Sequence, residues 1–170
     1  MRTEDITDSV EKVKAFLEKI GCKAAITHTD ATIFTADDAS RAVGVPSEEI
    51  LKSMLFTVDD GGTPSEGPRW ILALMSGANR VSDKKVKQAA GVRRVKMGSP
   101  EAIAAFSGFA PGGVPPVGYP AQPRTLLDED LFRYDVVWAA AGTDHDFFPI
   151  SPAELLRITG GERADIKKSE

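Results

Sequence analysis

A glycine-rich loop and one lysine are the residues of this chain best suited to chemistry. The loop runs Gly112-Gly113-Val114-Pro115-Pro116-Val117-Gly118. Glycine permits positive φ and close approach of a ligand to the backbone, and the two prolines freeze the geometry between. Such a segment can aim N–H groups at an oxyanion or a carbonyl. Lys52 sits in the apolar run Ile50-Leu51-Lys52-Ser53-Met54-Leu55-Phe56, one positive charge in what otherwise reads as a buried strand. Together the two features point to a site for an anionic or phosphate-bearing ligand. Read alone, Lys52 serves as well as an edge-strand charge that discourages sheet pairing. His28 and His145 are the only histidines. His145, beside Thr143 and Asp144, is either a group that hydrogen-bonds substrate or water, or an exposed turn residue.

The elements that must position these residues are marked by periodicity and caps. Val10, Val13, Phe16, Leu17 and Ile20 give an amphipathic helix over residues 7–20, stopped by Gly21. A short strand is expected over 24–29. Thr35-Ala36-Asp37-Asp38 supplies a hydroxyl cap with acids in the first turn of a helix ending at Gly44. Residues 53–58 and 70–75 read as a hairpin across a Gly/Pro/Asp/Ser-rich loop over 59–68. A basic helix follows over 83–90, then a strand over 94–97 and a helix opened by Ser99-Pro100. Beyond the glycine loop, strands are expected over 124–128, 135–141 and 147–150, and a helix over 152–159. Strands thus come in pairs without regular alternation with helices, which favours α+β with a mixed, largely antiparallel sheet. Residues 161–170 read as a polar tail on a single domain spanning 1–160.

Composition limits the function. No apolar run reaches membrane-spanning length, and the polar, acidic start does not resemble a secretory leader. A single cysteine, Cys22, excludes an internal disulfide, so a reducing cytoplasm is expected. A net charge of −4 argues against a general nucleic-acid coating protein. The charge is uneven, however. Arg80, Lys84, Lys85, Lys87, Arg93, Arg94 and Lys96 face a single acid, Asp83, in that stretch. This is either a solvated helix face or a patch for a phosphate backbone. The chain lacks GxGxxG, Walker, zinc-ligand and GxSxG spacings, so a serine or cysteine nucleophile is not expected.

Taken in order, several segments resemble the YbaK/ProX family of aminoacyl-tRNA deacylases, related to the editing domain inserted in bacterial prolyl-tRNA synthetases. They are the helix from Ala36 to Val45, the run from Ile50 to Phe56 and the stretch from Gly77 to Val86. The loop from Gly108 to Gly118 and the turn Ala141-Gly142-Thr143-Asp144-His145 complete the set. The resemblance implies a twisted, mixed, partly barrel-like sheet with helices outside. It implies hydrolysis of the ester joining a wrong amino acid to the 3′-terminal ribose of a tRNA, with alanyl or cysteinyl tRNA-Pro the expected substrate.

On that resemblance, Lys52 holds the terminal phosphate or ribose with Ser53 beside it, and the amides of Gly112 and Gly113 hold the aminoacyl carbonyl. Pro116, Gly118 and Thr143 help line the substrate pocket, and His145 orients water or substrate; His28 either lines the pocket or is a plain surface strand end. Arg80, Lys84, Lys85 and Lys87 meet the acceptor end of the tRNA. Many relatives have Ser-Pro where this chain has Pro115-Pro116, so any role of that serine is absent. The family implies no metal, no cofactor and no covalent enzyme intermediate. Water attack, helped by the ribose hydroxyl, or attack by a cysteinyl thiol remain as routes. Prolyl-tRNA synthetase is the expected partner protein. A non-catalytic tRNA- or synthetase-binding module of the same fold is the alternative, and a hydrolase of another small acyl ester a third.

Overall fold

The computed structural model describes residues 3–31, 33, 35–59, 69–110 and 112–169. The expected loop over 59–68 therefore lies outside the described residues beyond Asp59. Helix α1 (Thr3–Lys19) leads to the short β1 (Thr27–His28) and α2 (Ala36–Val43). The hairpin strands are β2 (Leu51–Asp59) and β3 (Arg69–Ser76), and α3 (Asp83–Ala90), β4 (Arg94–Met97) and α4 (Pro100–Ser107) follow. Next come β5 (Arg124–Asp128), β6 (Val137–Ala140), β7 (Asp146–Ile150), α5 (Pro152–Thr159) and β8 (Glu162–Ala164). Single 3-10 turns, Ser47–Glu49 and Glu129–Arg133, precede β2 and β6.

Caps fix where the helices begin. The side chains of Ser82, Ser99 and Ser151 accept from the third backbone N–H of α3, α4 and α5. Thr35 and Asp38 form a reciprocal capping box on α2.

The fold is α+β, built on two sheets. The larger has the order β4-β2-β3-β5-β8, and the smaller β1-β7-β6. Four ladders are antiparallel, while β3–β5 and β5–β8 are parallel. One parallel bridge, Ile50 to Trp138, ties the two sheets together. The partly barrel-like closure is not found. The register does not continue from this bridge into a ladder, so the sheets splay instead of closing.

Alternation along β2, β3 and β5 builds two cores. Leu55, Leu72, Leu74 and Leu127 face Val13, Leu17, Leu155 and Ile158. Phe56, Ile71, Ala73 and Leu126 face Val86 and Ala90 of α3. A third cluster of Ala39, Ile50 and Phe147 seats α2 where the sheets meet.

The polar tail is a correction. Glu162–Ala164 adds a parallel strand to β5, and Ile166 is fully buried in the α3 core. Its N–H donates to Asp128 Oδ1 at 3.0 Å, and its carbonyl accepts from Ser82 N at 2.8 Å. One buried isoleucine and three ladder pairs hold a segment whose composition reads as solvent-facing. No helix among the described residues is long and apolar enough to cross a membrane.

Candidate active site

The two attachments of β2 leave a gap. Strand β4 covers its far half, Phe56–Asp59, and the β6 bridge holds its start at Ile50. Between them the outer edge of β2 has no strand partner among the described residues. Backbone groups alternate in direction along a strand, and the Leu55 carbonyl points outward to Gly98 N at 2.9 Å. Ser53, two residues earlier, therefore turns its N–H and C=O to the same side.

A cleft of about 620 Å³ occupies this gap. Its floor is β2 from Ile50 to Leu55, and one wall is the first turn of α2 with Thr35, Ala36 and Asp37. Met97 and Ile103 close one end, and Ala140 and Phe147 the other. Gly112 and Val114 of the glycine loop overhang it. Of the residues expected to act, the cleft brings together Lys52, Ser53 and Gly112.

Lys52 is half-buried, and its Nζ donates to the Asn79 carbonyl at 2.9 Å. Burial lowers its pKa below 10.5; the Arg80 charge pushes the same way, and Asp37 opposes both. Asn79 is itself anchored, donating from Nδ2 to Asp130 Oδ2 at 2.9 Å. Lys167 Nζ sits 3.1 Å from Asp130 Oδ1, and Lys168 N donates to Arg80 O at 2.7 Å. The C-terminal segment thus braces the turn that holds the lysine. Hydrogen bonds to charged partners carry more energy than neutral ones, so this chain of contacts is a stiff support.

The glycine loop divides its labour. Gly112 has φ +87°, and a Cβ there would lie 3.6 Å from Asp144 Cβ. Among the described residues its N–H has no backbone partner. The Gly113 N–H is spent on Ala110 O at 3.1 Å, and a Cβ on Gly113 would meet the Thr143 backbone at 2.5 Å. Gly113 therefore lets the loop lie directly on the 141–145 turn. Pro116 is buried with its carbonyl accepting from Gln122 Nε2 at 2.9 Å, and Gly118 packs on Val13 and Phe109. These three residues do not line the cleft. The buried Tyr119 hydroxyl donates to Pro115 O at 2.8 Å and supports the loop from below.

Beside that turn lies a polar chain. Thr143 Oγ1 donates to Asp146 Oδ2 at 2.6 Å and accepts from His145 N at 3.1 Å. His28 Nδ1 is 2.9 Å from Asp146 Oδ1, and its Nε2 is 3.1 Å from Asp30. The Asp146 hydrogen bond first, then that to Asp30, raises the His28 pKa above 6.5. His145 Nε2 approaches Asp144 Oδ1 at 3.4 Å, while its buried Nδ1 has no partner among the described residues. Thr143, His145 and His28 lie behind the glycine loop, outside the cleft lining. No cluster of three or more His, Cys, Asp or Glu suited to a metal occurs among the described residues.

The basic residues also separate. Arg80 is exposed and acts electrostatically on Lys52, so it belongs to the cleft's positive end. Lys84 is exposed and Lys87 half-buried. Lys85 Nζ is held by Asp165 at 3.0 Å and by Ser169 Oγ at 3.1 Å, which commits it to the C-terminal segment.

Sequence reasoning missed Asp37, Gly77, Met97 and Ile103 as lining residues. Gly77 carries a packing signal, since a Cβ there would meet Ser47 O at 2.5 Å. Asp37 has no such signal, because a first-turn acid is what any helix start favours.

Residues 30–158 match the aminoacyl-tRNA editing domain, and the chain belongs to that family. It is 27% identical over 136 residues to an Enterococcus faecalis protein provisionally named a Cys-tRNA(Pro)/Cys-tRNA(Cys) deacylase, EbsC, covering 80% of this chain and 79% of that one. It is 27% identical to the uncharacterized protein YwhH of Bacillus subtilis, across 89% and 91% of the two chains. A crystal structure provisionally described as a trans-editing enzyme for prolyl tRNA synthetase superposes with a TM-score of 0.84 at 37% identity. That match covers 95% of this chain and 98% of the other. The chain also aligns with 18% of a Nitratidesulfovibrio vulgaris proline–tRNA ligase at 28% identity.

Proposed function

We propose that this protein is a freestanding deacylase that hydrolyses the aminoacyl ester of a mischarged tRNA. The observation that carries the reading is the cleft itself: a bare strand edge, a braced lysine and a glycine amide meeting in one apolar pocket of an editing-domain fold.

Lys52 is the cation that receives the terminal phosphate or ribose. Apolar walls exclude water from around it, which strengthens its attraction for an anion. Because Asn79 already fixes its direction, less freedom is lost on binding. The Gly112 N–H, on a backbone that glycine alone holds comfortably, is the donor for the ester carbonyl. One such fixed donor is worth about 3 kcal/mol to a developing oxyanion. The outward N–H and C=O of Ser53 offer a second set of fixed dipoles. Among the described lining residues there is no activated nucleophile, so water attacks the carbonyl, with the substrate's ribose hydroxyl assisting proton transfer. With cysteinyl esters the substrate thiol is an internal alternative.

Alanyl and cysteinyl tRNA-Pro are the substrates we infer, with the cytoplasm and an encounter with prolyl-tRNA synthetase as the setting. Names of relatives and the similarity to part of proline–tRNA ligases support this choice. The cleft must hold the terminal nucleoside as well as the acyl group. The acyl part is therefore a fraction of 620 Å³, and a bulky side chain is excluded sterically. Arg80 and Lys84 are the residues we assign to acceptor-end phosphates, with Lys87 at their side. Incubation with a panel of mischarged tRNAs, alanyl and cysteinyl tRNA-Pro first, tests the proposal. Loss of those esters with phenylalanyl esters spared is expected; equal hydrolysis of all, or of none, contradicts it.

A further inference from the structure

Among the described residues, two charged side chains line the cleft, Lys52 and Asp37. They form no ion pair among the described residues: Lys52 Nζ donates to the Asn79 carbonyl, and Asp37 acts on it only at longer range. The Asp37 carboxylate is held elsewhere: Ser47 Oγ donates to its Oδ1. Helix capping makes no claim on it, since Asp38 performs that task and also receives Arg41. Among the described residues no donor reaches Asp37 Oδ2. The cleft is thus a dipole, with Lys52 and Arg80 at one pole and a single oriented carboxylate at the other.

An aminoacyl ester at a tRNA 3′ end is a dipole of the same kind. It has an anionic phosphate on one side of the ribose and a free α-ammonium on the other. We propose that Asp37 binds the substrate α-ammonium, so that the site takes free aminoacyl esters and discriminates against N-blocked ones. This inference rests on the deacylase reading and names the substrate class of the same cleft. Its consequence is that peptidyl and N-formyl esters are spared, although they present the same ester and the same nucleotide. An N-acyl group removes the positive charge, so the attraction to the exposed Asp37 carboxylate at the cleft wall is lost.

The test compares alanyl-tRNA with N-acetylalanyl-tRNA, each rate divided by the spontaneous hydrolysis of that ester. Wild-type protein prefers the free amine by roughly tenfold or more in kcat/KM, the value of one charge-assisted contact. Asp37→Asn still accepts the Ser47 hydrogen bond but loses the charge, and it brings that preference down towards one by slowing only the free-amine ester. Ser47→Ala leaves the charge but frees its orientation, and gives an intermediate ratio. A wild-type ratio of one overturns the inference without any variant. So does an Asp37→Asn protein that slows both esters equally. Absence of hydrolysis of every ester by the wild type overturns the deacylase reading itself, and the inference with it.

Discussion

Gly113 shows how one residue can serve a site it does not line. Its missing Cβ is what lets the glycine loop contact the Thr143 backbone, so the constraint comes from the protein and not from a substrate. Gly113→Ala should cost about 1–3 kcal/mol of stability through overpacking, seen as a lower denaturation midpoint, and should displace Gly112 from the cleft. A variant with unchanged stability would show that the two segments part freely. His28 makes a different prediction. Its folded pKa is raised by Asp146 and Asp30, so the stabilisation is complete below the ordinary value of 6.5 and fades as pH climbs through the raised one. His28→Gln should therefore lower the melting temperature at pH 6 and have little effect at pH 9. A pH-independent difference would mean that the ring acts by packing alone.

Among the elements, the C-terminal segment is the one whose role changes most once its contacts are known. Asp130, Asn79 and Lys167 link it to Lys52 through three hydrogen bonds. Asp130→Ala would leave Asn79 and Lys167 without their shared acceptor, at a cost of about 1–3 kcal/mol. Turnover should fall in kcat more than in KM, because Lys52 remains present but loses its fixed direction. Asp130→Asn, which can still accept from Asn79, should recover part of the loss. Equal losses in both variants, or none, would separate the segment from the site.

Helices were legible where caps are local: Ser82, Ser99, Ser151 and Thr35 each announce a start within four residues. Strand β8 was not, because Glu162-Arg163-Ala164 has no apolar alternation and borrows its partner from β5. Lys52 and Gly112, which both line the cleft, stand out in the sequence by residue type in an unusual setting. The bare edge of β2 was not, since no local pattern says where a neighbouring strand ends. Pro116 and Gly118 share the composition of the loop but serve its packing.

At the scale of the whole molecule, two sheets that do not close into a barrel leave the cleft between them, with Lys52 and Asp37 in its lining. Lys85 is paired with Asp165, whereas Arg80, whose charge acts on Lys52, is exposed at the positive pole. A net charge of −4 makes the protein a poor general binder of nucleic acid. Partial burial of the Lys52 cation costs stability, so its replacement by an apolar residue of similar length should not destabilise the fold. The most direct measurement is single-turnover hydrolysis of alanyl and cysteinyl tRNA-Pro by wild-type protein and by Lys52→Met, with thermal melts of both. The account predicts rapid ester loss with the wild type, a drop of at least about 100-fold in the variant, equivalent to about 2.7 kcal/mol, and a melting temperature unchanged or higher. Near-normal hydrolysis by a folded Lys52→Met protein would contradict it.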